Sequence, residues 1–145
     1  MQPSPAPFGL VPMLHVRDLE ASTRFYGHLG FQRVGEHRNG GKLVWCHLRT
    51  AGSELFLSQA SGIVPAEQQA VLLYLYSLDV VALRAELLAA GLLDSGPLLH
   101  GRLPEQDGRH WPNGRAFPIQ KPFYMPAGEL RLEDPDGYVI LVGQT

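Results

Sequence analysis

A single cysteine, Cys46, is all the thiol that these 145 residues carry. An internal disulfide is excluded, as is a four-cysteine zinc site within one chain, and a reducing compartment is the natural setting. Charge is also scarce. Charged residues make up 18% and the formal net charge is −2, so no global field draws the chain to nucleic acid or an anionic membrane. No apolar run approaches the roughly 18 residues of a membrane-spanning helix. The start, Met-Gln-Pro-Ser-Pro-Ala-Pro, lacks a basic segment followed by an apolar one and does not read as a secretory signal. Its prolines suggest an extended arm, and a cytoplasmic protein is expected. Gly-x-Ser-x-Gly, a phosphate-binding glycine loop and His-Glu-x-x-His are all missing. The six histidines, His15, His28, His37, His47, His100 and His110, are scattered. No nucleophile constellation emerges, so the balance leans away from an enzyme.

What is present is ordinary globular material, 45% hydrophobic over a length that suits one compact domain. The chain divides into two similar halves. An apolar segment from Leu10 to Val16 meets Asp18, and a helical pattern runs to Gly30. A second segment from Val71 to Leu78 meets Asp79, and a helical pattern runs to Gly91. Asp79 follows Asp18 by 61 positions and Gly91 follows Gly30 by the same number, which suggests an internal repeat. The aspartates suit helix N-caps and the glycines left-handed helix stops. Leu19, Ser22, Phe25, Tyr26 and Leu29 share one helix face. Val80, Leu83, Leu87 and Ala90 share another. Strand-like runs follow the first helix at Phe31–Glu36, Lys42–Leu48 and Glu54–Ser58, with Asn39-Gly40-Gly41 as a hairpin turn. After the second come a short candidate at Phe123–Met125, then Glu129–Glu133 and Tyr138–Val142, the last two joined by the Asp134-Pro-Asp-Gly137 turn. The expected architecture is α+β, strand-helix-strand-strand-strand twice over. Repeats are placed at about residues 9–60 and 70–144 of one 1–145 domain, with a long Gly- and Pro-rich loop at about 93–122. Loops of that kind are functional lids or are disordered.

The run from Val16 to Tyr26 (VRDLEASTRFY), followed by Leu29-Gly-Phe31, resembles the opening of the vicinal oxygen chelate superfamily, the glyoxalase, bleomycin-resistance and extradiol-dioxygenase proteins. Asp134-Pro-Asp-Gly-Tyr138 resembles their last turn, and the likeness extends from about Val11 to Gly143. It implies two βαβββ modules whose sheets curl into a cup, a ligand inside the cup, and often a homodimer. Asp18 and the Asp-Pro-Asp-Gly turn are then structural devices and not catalytic acids. Metal-using relatives carry His, Glu or Gln at four strand positions. Matched here, these fall on Val11, on Ala70 or Leu72, on Leu141 and on Phe56, none able to bind a metal. The likeness is therefore to the metal-free bleomycin-resistance type, which sequesters an antibiotic or another organic metabolite, with no cofactor.

Residues two apart on a strand share a face. On that rule Met13, His15, Glu54, Phe56, Tyr74, Tyr76, Glu129, Arg131 and Leu141 line the cup, with Val139 beside Leu141, and Leu130 and Leu132 turn to the helices. Such a mixture of aromatic walls and few polar anchors suits a mid-sized organic ligand. Plainer readings stand beside these. His15 reads equally as an ordinary strand residue, Glu129 and Arg131 as charge pairs across the sheet, and Tyr74 and Tyr76 as a dimer seam. Trp45 reads as core and Cys46 as an inert buried thiol. In the long loop Arg102, Arg109, Arg115 and Lys121 outweigh Glu105 and Asp107. Trp111 beside Arg109 suggests a cation–π clamp. The alternative function is a metal-dependent lyase or dioxygenase using His15, Glu54 and Glu129, the only inward donors. Neither nucleic acid nor membrane is an expected partner.

Overall fold

Two aspartates set the two helices. In the computed structural model, which describes residues 4–62, 70–96 and 111–145, Asp18 has extended backbone and its carboxylate accepts the Ala21 N–H at 3.1 Å, opening α1 (Leu19–His28). Asp79 does the same for Ala82 at 3.0 Å, opening α2 (Val80–Ala89). Each cap satisfies one of the donors a helix start leaves unpaired. Gly30 at φ +94° and Gly91 at φ +109° follow the helix ends.

Before α1 lies β1 (Met13–Val16), and after it come β2 (Gln32–Asn39), β3 (Lys42–Thr50) and β4 (Ser53–Gln59). They form one sheet in the order β1-β4-β3-β2, with β1 parallel to β4. The second half repeats the plan. β5 (Leu73–Ser77) precedes α2, and β6 (Leu93–Asp94), β7 (Arg115–Ala116), β8 (Glu129–Glu133) and β9 (Val139–Gln144) follow, in the order β5-β9-β8-β7-β6 with β5 parallel to β9. The repeat extends to the register. Met13 pairs with Phe56 and Tyr74 pairs with Leu141, so Met13 and Tyr74 are equivalent, again 61 positions apart. The architecture is α+β, as expected, built of two mixed open sheets.

The helices cover one face of each sheet. Leu14, Val16, Cys46, Leu48, Leu55 and Leu57 from the first sheet are buried with Phe25 and Tyr26 of α1, and Leu130, Leu132, Ile140 and Val142 of the second join the same cluster. Burial pushes the Cys46 thiol up, which suits an inert residue. The halves are tied through the Asp-Pro-Asp-Gly turn. Tyr26 Oη donates to Asp134 Oδ2 at 2.8 Å, while Asp134 Oδ1 accepts the N–H groups of Asp136, Gly137 and Tyr138, each at 2.9 Å. Arg17 reaches Asp136 at 3.3 Å, and Tyr138 Oη donates to the His15 carbonyl at 2.9 Å. Burial pushes the Asp134 carboxyl up to about 7, against the hydrogen bonds from Tyr26 and the turn that pull it down. Gly114, at φ +73°, lets α1 approach β7 and β8: a Cβ there would sit 2.6 Å from the Glu133 carbonyl oxygen and 2.7 Å from the Phe25 ring.

Several local expectations change. Phe123–Met125 is a turn, not a strand. Pro122 and Pro126 flank it, proline has no N–H for a ladder, and Met125 N–H closes onto the Pro122 carbonyl at 2.9 Å. The expected loop after Leu93 holds β6 and β7, and the isolated bridge of Gln120 to Glu129 adds a further pairing. The outer strands are shorter at their starts than Leu10–Val16 and Val71–Leu78, and β2 runs past Glu36 to Asn39. On α2 the buried residues are Val80 and Leu87, with Leu83 half-buried and Ala90 exposed, because an apolar helix with one side on the sheet leaves residues such as Val81 in solvent.

Candidate functional site

Alternation gives each sheet a second face, free of its helix. On the first sheet Met13 and His15 of β1 stand beside Phe56 and Ser58 of β4, and Phe56 and Ser58 oppose His47 and Trp45 of β3. Trp45 is therefore not core. It is half-buried, with its ring 5.2 Å from Phe56, which in turn meets His47 edge-on at 4.9 Å. The period of two that buries Cys46 and Leu48 places Trp45 and His47 opposite them. Glu54 completes this face. Its Oε1 accepts from His47 Nε2 at 2.9 Å and Arg49 Nη2 at 3.1 Å, and these hydrogen bonds, Arg49's first, hold its carboxyl below the usual range.

On the second sheet Tyr74, Tyr76, Leu141, Val139, Glu129, Arg131 and Glu133 share the helix-free face, while Leu130 and Leu132 turn to the core. A ladder of stacked groups crosses it. The Arg115 guanidinium lies 5.1 Å from the Trp111 ring and 5.0 Å from Phe117, and Arg131 lies 5.5 Å from the same Phe117. Arg115 pairs with Glu133 at 2.8 Å, both almost wholly buried at 2% and 1% exposure, and Arg131 Nη2 stands 3.6 Å from the second Glu133 oxygen. Trp111 thus stacks on an arginine, but on Arg115. Arg109 falls outside the described residues, as does the stretch 97–110 of the expected lid. Glu129 and Arg131 form no mutual pair. Glu129 instead accepts from Tyr74 Oη at 2.7 Å and Tyr124 Oη at 3.2 Å. Desolvation, then the Glu129 hydrogen bond and charge, push Tyr74 up to about 12, so its hydroxyl keeps its proton and donates. Tyr124 sits in the Pro-flanked turn, outside any periodic strand, and sequence patterning gave no reason to select it.

The ten expected site residues do not converge on one cavity among the described residues. Glu129, Arg131 and Leu141 line a cavity of about 210 Å³ with Phe117, Pro118, Gln120 and Tyr124. Met13 and His15 line one of about 290 Å³ where β1 meets β5 and β9, with Tyr138 and Val139. Glu54 and Tyr74 border a third, of about 200 Å³, between the halves. Phe56 packs on Trp45 and His47, Trp111 on Arg115, and Tyr76 lies 5.3 Å from Tyr74 and is mostly exposed.

The family model of the Glyoxalase/Bleomycin resistance protein/Dioxygenase superfamily matches residues 10–142. The chain belongs to that superfamily. Solved structures of the same fold include a bleomycin-binding protein complexed with bleomycin, 19% identical, with a TM-score of 0.63 over 96% of this chain and 99% of that one. The bleomycin-binding protein of Streptomyces verticillus, complexed with copper(II)-bleomycin, is 20% identical, with a TM-score of 0.62 over 97% and 98%. TnmS3, an antibiotic-binding protein of Streptomyces sp. CB03234, is 21% identical, with a TM-score of 0.53 over 96% and 98%. Among curated proteins, no sequence matches. At these identities the likeness is one of fold.

For a glyoxalase-superfamily chain the next issue is a divalent ion, and the donor set does not fit one. The register makes Leu72, not Ala70, the counterpart of Val11, since Met13 and Tyr74 are equivalent. Val11, Phe56, Leu72 and Leu141 offer only hydrocarbon, whereas such ions take oxygen, nitrogen or thiolate donors. Among the described residues no three His, Cys, Asp or Glu side chains come together as a possible metal cluster.

Proposed function

We propose that this superfamily member is a small-molecule binding protein that holds an organic ligand by shape, stacking and a few polar anchors, without a catalytic metal. One observation carries the reading. The helix-free faces put hydrocarbon at the four ion-gripping positions, yet surround them with aromatic rings and hydrogen-bonded charges: Trp45, Phe56 and His47 on one sheet, Tyr74, Phe117, Glu129 and Arg131 on the other. Apolar walls with few fixed polar groups are what organic ligands require. Bleomycin- and antibiotic-binding structures of the same fold support sequestration as the role. Met13, His15, Glu54, Tyr76, Trp111 and Leu141 belong to the proposed binding surface. The three cavities described above each fall below the roughly 300–1,000 Å³ of a drug-sized site, and Phe8 and Leu10 of the N-terminal arm are 98% and 97% exposed. A second copy that joins its own helix-free face to this one would enlarge the groove and cover such residues, so a cytoplasmic homodimer of single-domain chains is part of the reading.

The test is a thermal-shift screen of glycopeptide antibiotics, aromatic metabolites and divalent metals, since a ligand that binds only the native state raises the melting temperature. An organic compound is expected to raise Tm by several degrees and divalent metals to leave it unchanged. A response to metals alone would favour a lyase or dioxygenase instead.

A further inference from the structure

Glu129 is a carboxylate in an awkward place. It is 9% exposed, and no ion pair within 4 Å joins it among the described residues. Burying an uncompensated charge is costly. Its two hydrogen bonds come from neutral tyrosyl hydroxyls, Tyr74 at 2.7 Å and Tyr124 at 3.2 Å, one to each oxygen. Each carboxylate oxygen can accept a further hydrogen bond. The carboxylate lines the cavity of about 210 Å³ whose walls include Phe117, Tyr124 and Leu141. Arg131 lines it too, with its guanidinium 3.6 Å from Glu133 and 5.5 Å from the Phe117 ring, its buried Nε without a hydrogen-bond partner among the described residues, and no ion pair to Glu129 within 4 Å.

We propose that this cavity takes an organic ammonium group, a protonated amine carried by the ligand, with Glu129 as its counter-ion and the Phe117 and Tyr124 rings beside it. The inference rests on the small-molecule reading above and names the chemistry of one part of that ligand. An amine donates to the free lone pairs of Glu129 while both tyrosines keep their hydrogen bonds, and aromatic rings beside the cation add cation–π attraction. A carboxylate at the same point would face Glu129 directly and be repelled. A neutral alcohol would lose the charge-assisted part of the bond. The volume suits one ring with a short arm and not a whole drug-sized molecule, so the amine is a single moiety of whatever the larger groove holds.

The test compares three probes of one shape, 2-phenylethylamine, 2-phenylethanol and phenylacetate, by ligand-observed NMR titration at neutral pH. On the wild-type protein the amine is expected to bind roughly ten-fold tighter than the alcohol, with phenylacetate weakest. Glu129→Gln, whose amide oxygen accepts from one tyrosine while its NH₂ donates to the other hydroxyl, should erase the preference of amine over alcohol. Tyr124→Ala, at a 56%-exposed rim position, should weaken the amine several-fold without unfolding the protein. Equal binding of amine and alcohol by the wild type, stronger binding of phenylacetate, or an undiminished preference in Glu129→Gln would each overturn the assignment. Should none of the three bind while an organic compound still raises Tm, the amine assignment fails and the small-molecule reading stands. Should no organic compound raise Tm either, both fail.

Discussion

Replacing Glu133 by alanine is expected to destabilise the protein by about 3–5 kcal/mol, measured by urea denaturation. Two Arg115 nitrogens reach one Glu133 oxygen, Nε at 2.9 Å and Nη2 at 2.8 Å. The guanidinium is flanked by the Trp111 and Phe117 rings, so water cannot replace the lost carboxylate. The cost comes from the stranded charge and not from the worth of the pair. The double change Arg115→Met with Glu133→Leu, which removes both charges at similar volume, should therefore recover most of the loss. A double variant no more stable than Glu133→Ala would show that the pair itself carries the stability. Because Phe117 and Arg131 lean on this pair, Glu133→Ala should also weaken ligand binding at the neighbouring cavity.

Asp134→Ala should cost a similar amount, roughly 3–5 kcal/mol, since it deprives the Tyr26 hydroxyl and three turn N–H groups of their acceptor. Asp134→Asn should cost far less, because the amide oxygen can still take the three N–H groups and its NH₂ can donate to Tyr26. The pair also separates the effect of charge. A carboxyl raised to about 7 in the folded state, from about 3.9 when unfolded, binds its proton more tightly when native. Its contribution to stability is then greatest below about pH 4 and falls as pH rises to about 7, the reverse of a salt-bridged aspartate. The stability difference between wild type and Asp134→Asn should thus shift against the wild type between about pH 4 and pH 7. A flat difference would mean that the four hydrogen bonds hold Asp134 ionised throughout.

Much of this fold is legible in the chain. The spacing of 61 positions that relates Asp18 to Asp79 and Gly30 to Gly91 reappears in space as Met13 and Tyr74 at matching register, because cap and helix stop are local devices written in single residues. The alternation of β8 is equally readable, Leu130 and Leu132 inward with Glu129 and Arg131 outward. What escapes is what tertiary contacts decide. β6 and β7 are two residues each, too short for any period, and Arg115 is fixed on its face by Glu133 from another strand. Tyr124 reaches Glu129 from a turn whose prolines say only that a strand stops there. Trp45 is the instructive error. Its alternation with Cys46 places it on the helix-free face, against the general tendency of tryptophan toward the interior.

That the site grips its ligand by shape and charge and not through a coordinated ion is tested most directly by metal analysis. Protein purified without an affinity tag is assayed for divalent metals, and its affinity for the organic compound found by thermal shift is measured before and after EDTA treatment. Substoichiometric metal and unchanged affinity are predicted. One tightly held divalent ion per chain, whose removal abolishes binding and whose return restores it, would contradict the hydrocarbon reading of Val11, Phe56, Leu72 and Leu141.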